Sequence, residues 1–95
     1  MDNPDQRADS TRSLVIEAIA DVEGLAPAEI EAILGTTGGA SYHLDSKTAE
    51  VVIASVEHVL GHQLPAPADL PRDQFTTFDA IVSLIERDRR IRRAS

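Results

Sequence analysis

Between Ser46 and Leu60 the apolar residues Ala49, Val52, Ile53, Val56, Val59 and Leu60 recur at i, i+3, i+4 and i+7. That period predicts a helix with one buried stripe. Asp45-Ser46 opens it, and Gly61 with Leu64-Pro65 closes it. Its other face shows Lys47, Glu50, Val51, Ala54, Glu57 and His58. A helix that is apolar on one side only must bury that side against other elements, and the rest of the chain offers further helices. Ser10 or Thr11 can cap a first helix, with Leu14, Ile16, Ala18, Ile19 and Val22 as its stripe and Gly24 as its stop. Thr77 can cap a last one, with Phe78, Ile81, Val82, Leu84 and Ile85 facing inward.

The segments between them read as connections. Ala26-Pro27-Ala28-Glu29-Ile30 reads as a Pro-containing turn, with Ile30, Ile33 and Leu34 anchoring a crossing loop. Residues 35–41 are a Gly-rich approach to Asp45-Ser46. Pro65, Pro67 and Pro71 leave room for at most a short helical turn near Asp69–Gln74. The expected fold is all-α: three longer helices and one short one, with a long loop between helices one and two. The 95 residues make one domain. It is expected over 10–87, with a flexible N-terminus at 1–9 and a basic tail at 88–95. Tyr42, Phe75 and Phe78 are the only aromatics, which suits a small helical bundle better than an all-β domain.

Several function classes are excluded. The chain has no cysteine, so disulfides, thiol catalysis and thiolate metal sites are out, and a cytoplasmic protein is expected. Met1 to Ser13 has no apolar run for a signal peptide, and no stretch is long enough to span a membrane. Residues 1–86 carry fifteen carboxylates against Arg7, Arg12, Lys47 and Arg72, a balance of −11. Residues 87–95 carry five arginines against Asp88, a balance of +4, and the chain totals −7. An acidic body attracts basic partner surfaces and repels nucleic acid. His58 and His62 stand at metal-ligand spacing, but Gly61 intervenes and no third ligand is evident, so no metal site is expected. Gly35-Thr-Thr-Gly-Gly39 lacks the lysine and the strand of a phosphate loop.

The candidate site is Ser46. A helix N-terminus presents unpaired N–H groups and the positive end of the dipole, which favour an anion such as a phosphate ester. Taken alone, Ser46 reads first as an ordinary N-cap serine, and Asp45 reads as a solvated capping acid. A hydrolase built on Ser46 lacks a base, because no histidine sits in a recognisable nucleophile motif.

Four landmarks taken together resemble the acyl and peptidyl carrier proteins. The passage Ile19-Ala20-Asp21-Val22-Glu23-Gly24-Leu25-Ala26-Pro27-Ala28-Glu29-Ile30 is similar to the end of the family's first helix. Asp45-Ser46 is similar to its attachment motif, Gly61-His62-Gln63-Leu64-Pro65 to the close of its second helix, and Phe75-Thr76-Thr77-Phe78-Asp79-Ala80-Ile81 to the start of its last. The resemblance covers nearly the whole chain and implies the four-helix carrier bundle. It implies a free-standing, monomeric, non-enzymatic carrier of polyketide, nonribosomal-peptide or hybrid assembly. A phosphopantetheinyl transferase would place 4′-phosphopantetheine on Ser46, with Asp45 orienting the reaction. Acyl- or aminoacyl-loading enzymes, acyltransferases or synthase domains would dock on Lys47, Glu50, Val51, Ala54 and Glu57. The sequence departs from the family at Lys47, where an apolar residue usually follows the serine, and at Val51, where an acid is usual. Both alter the surface that partners read and leave the hydroxyl in place. The rival reading is a carrier-like interaction module that is never modified.

Overall fold

Apolar residues at helical spacing become four α-helices in the computed structural model, which describes residues 4–65 and 69–94. They are α1 (Pro4–Glu23), α2 (Pro27–Thr37), α3 (Ser46–Leu60) and α4 (Phe78–Ala94), with 3₁₀ turns at Gly39–Ser41 and Arg72–Gln74. Among the described residues there are no strands, only an isolated bridge between His43 and Thr77. No described helix is long and apolar enough to cross a membrane.

α1 is the hub and packs against each of the other three helices. Val15, Ile16, Ala18, Ile19 and Ala20 are its buried apolar residues, while Leu14 and Val22 lie at the core's edge. Facing them are Ile30 and Leu34 of α2, Ala49, Val52, Ile53 and Val56 of α3, and Phe78, Ile81, Leu84 and Ile85 of α4. Burying an aliphatic side chain of this kind contributes about 1.5–3 kcal/mol.

Three expectations from the sequence are corrected. The crossing loop contains a full helix, α2. Pro27 stands at its start, where a missing N–H costs nothing, Glu29 complements the dipole, and Ile30 and Leu34 meet one turn apart. Arg12 of α1 holds α2 by an ion pair to Glu31 at 2.7 Å. The short helical turn expected near Asp69–Gln74 is present as the 3₁₀ turn Arg72–Gln74.

The second correction concerns α1, which begins at Pro4 within the segment expected to be flexible. Thr11 is therefore no cap. It is fully buried, and its hydroxyl accepts from the Arg89 guanidinium at 2.8 Å.

The third concerns the arginine-rich end, which continues α4 to Ala94. Arg92 pairs with Asp88 at 3.0 Å and donates to the Gln63 carbonyl at 3.3 Å. With Arg89, it ties this end of α4 to its neighbours. Residues 1–3, Pro67 and Ser95 lie outside the described residues.

Candidate functional site at the head of α3

Asp45 and not Ser46 is the N-cap of α3. Its backbone is extended, and its carboxylate accepts from the Thr48 amide at 2.8 Å and from the Thr48 hydroxyl at 3.1 Å. The Thr48 amide and then the Thr48 hydroxyl hold this carboxyl below the usual carboxylate range. Burial opposes the shift slightly, and the Lys47 amide and charge add to it. Ser46 is thus the first helical residue, half-exposed, and its hydroxyl makes no hydrogen bond among the described residues. The capping reading of Ser46 falls, because Asp45 already does that work and leaves the serine oxygen free.

The chain entering α3 is pinned to the chain entering α4. The Leu44 amide donates to the Thr76 carbonyl at 2.7 Å, and the Phe78 amide donates to the Tyr42 carbonyl at 3.0 Å. The Leu44 side chain is buried beneath the site. Gly39 lies so close to α4 that an added Cβ would collide with the Asp79 carboxylate and touch the Phe78 ring at 3.0 Å. Ala80 completes the junction, its amide donating to the Thr77 hydroxyl at 3.1 Å as the sequence predicts.

This junction brings the Arg72–Gln74 turn beside Ser46. Leu44, Asp45, Ser46, Lys47, Arg72 and Thr76 line one open surface cleft. Thr76 closes the turn by donating its hydroxyl to the Arg72 carbonyl at 2.7 Å. Sequence reasoning missed Arg72. The only available signal was its rarity, as one of four bases in the acidic first 86 residues. Thr48, the partner of the cap, was legible as the third residue after Asp45.

The expected docking residues separate into two groups. Lys47, Glu50, Val51 and Ala54 share the exposed face of α3, where Val51 is 53% exposed. Glu57 does not belong with them. It is half-buried, and its carboxylate accepts from the Leu64 amide at 2.7 Å, closing the turn after α3. Val59, expected in the core, is 65% exposed. It lines an open groove opposite Ser10 and Ser13 of α1, whose short side chains do not reach across to cover it.

The histidines do not converge either. His62 bonds Asp88 at 2.9 Å, His58 is exposed, and His43 lines another cleft with Ile33, Thr37, Ser41 and Tyr42. Among the described residues no three potential ligands cluster as a metal site would require. The cleft at Ser46 is lined by the Ser46 and Thr76 hydroxyls, the Asp45 carboxylate already committed to Thr48, and two cations at the N-terminal end of α3, with no histidine to act as a base among the described residues. Such a set suits holding an anionic ester better than activating a nucleophile. No family model, characterised protein or solved structure matches this chain.

Proposed function

We propose that the chain is a carrier protein that holds biosynthetic intermediates as thioesters on a 4′-phosphopantetheine arm esterified to Ser46. The pathway would be of the polyketide, nonribosomal-peptide or hybrid kind. One observation carries the reading. The Ser46 hydroxyl is free of partners at the first residue of α3, in an open cleft with Lys47 and Arg72. Its support is the order and spacing of the four landmarks that resemble the carrier family, together with a small helical bundle compatible with that fold.

The residues fit the group. The arm joins through a phosphodiester, and the cleft offers the positive helix end and two cations to that charge. When bound, the arm supplies a terminal thiol for acyl or aminoacyl cargo. The protein's part is to present Ser46 to a transferase, keep the root of the arm oriented and raise the effective concentration of cargo at its partners. Loading and synthase enzymes supply the chemistry, so the chain itself is read as no enzyme. Val51 and Ala54, edged by Lys47 and Glu50, form the proposed docking face, an apolar patch with a charged rim. Glu57 is withdrawn from it because its carboxylate is committed to Leu64.

The test is incubation with coenzyme A and a broad-specificity phosphopantetheinyl transferase. Whole-protein mass should rise by one phosphopantetheinyl group in the wild type and stay unchanged in Ser46→Ala. A wild-type mass unmoved by several competent transferases would leave the unmodified interaction module as the better reading.

A further inference from the structure

Four bases lie in the first 86 residues, and the structure describes the side chains of three. Arg12 is spent on Glu31. The other two, Lys47 and Arg72, come from different elements and line the same cleft as Ser46. Among the described residues neither is in an ion pair. Both are exposed. Two cations beside a single carboxylate, Asp45, at one place on an otherwise acidic body leave a positive charge that calls for a second anion.

We infer that Lys47 and Arg72 form a clamp on the phosphodiester at the root of the arm, so that the arm leaves Ser46 in a set direction along the cleft. This rests on the carrier reading above. The charges balance: Asp45 and the phosphodiester supply two negative charges, and Lys47 and Arg72 supply two positive ones. Without the ester the lining is one positive charge in excess. The two cations divide the work. Arg72 brings a planar fork that can grip two phosphate oxygens, whereas Lys47 acts as a point charge from the first turn of the helix. The clamp also accounts for the polar residue directly after the serine. A lysine there serves the protein's own arm, and an apolar side chain could not.

The experiment is ³¹P NMR on protein loaded with the arm, with loading checked by mass. Wild type, Lys47→Gln, Arg72→Gln and the double variant are compared at low salt, and the wild type is also titrated with salt. In the wild type the phosphorus should tumble with the protein and give a broad line. In the double variant the line should narrow and shift toward that of a freely mobile diester, with the single variants between. Salt should move the wild-type line the same way, since exposed ion pairs weaken as the Debye length falls. A wild-type line already narrow and insensitive to salt overturns the clamp, whether or not the variants can be loaded. So does a line identical in all four loaded proteins. In both cases the carrier reading stands. A wild type that accepts no arm overturns both.

Discussion

Replacing Glu57 by alanine tests the reassignment of this residue from docking rim to fold strut. The bond it removes is short, 2.7 Å from the Leu64 amide to a carboxylate oxygen, and Leu64 is itself buried. A hydrogen bond to a charged acceptor contributes about 1.5–3 kcal/mol net. Glu57 is only half-buried and water can reach the freed amide in part, so a loss of about 1–2 kcal/mol is expected. At ~4–8 °C per kcal/mol for a domain of this size, the midpoint should fall by roughly 4–16 °C. Glu57→Gln keeps an acceptor oxygen without the charge and should lose about half as much. The assay is thermal unfolding followed by far-UV circular dichroism, with hydrogen exchange at the Leu64 amide as the local readout. Exchange at Leu64 should quicken in Glu57→Ala before the helices melt. A loss below about 0.5 kcal/mol, the level of an ordinary surface substitution, with Leu64 exchange unchanged, would refute the strut.

Three further outcomes are expected. Gly39→Ala should destabilise by about 1 kcal/mol, the low end for overpacking because the exposed Asp79 can swing away, and Asp79→Ala in the same chain should restore part of it; a neutral Gly39→Ala melt would contradict the close approach. The Asp45 cap has a depressed folded pKa, so its contribution is complete above the ordinary value of about 3.9 and is lost as pH falls through the folded value. The Thr48 amide resonance should follow that loss, and a midpoint at or above the ordinary carboxylate value would contradict it. Lys47→Leu should leave stability within ~0.5 kcal/mol while changing efficiency with loading partners; a large stability loss would place Lys47 on the wrong face.

The helical period made α3 legible to the residue at both ends, because Asp45 and Gly61 punctuate it. The core positions of α4 were legible for the same reason, with Thr77 as the start signal. α2 was hidden because Gly24, Pro27, Gly35 and the two threonines dominate a propensity reading, and only Ile30 and Leu34 reach the core. Val59 sat at the right phase of its helix, yet burial depends on what stands opposite, and the serines of α1 are too short to cover it. At the site, Asp45 and Ser46 were visible as neighbours in sequence. Which of them caps the helix was settled by backbone geometry. Arg72 arrives from 26 positions downstream, through the pairing of residues 42–44 with 76–78, and no local pattern announces such a contact.

In the carrier reading one particular hydroxyl, that of Ser46, carries the arm. Peptide-resolved tandem mass spectrometry of the protein after transferase loading addresses it most directly. Ser41 and Ser55 lie on either side of Ser46, and Thr48 two residues beyond it, so the fragments discriminate among neighbours of the same chemistry. Phosphopantetheine found on Ser46 alone, at one group per chain, is the predicted result. A group on Ser41, Thr48 or Ser55 with Ser46 untouched, or no group on any of them, would contradict Ser46 as the root of the arm.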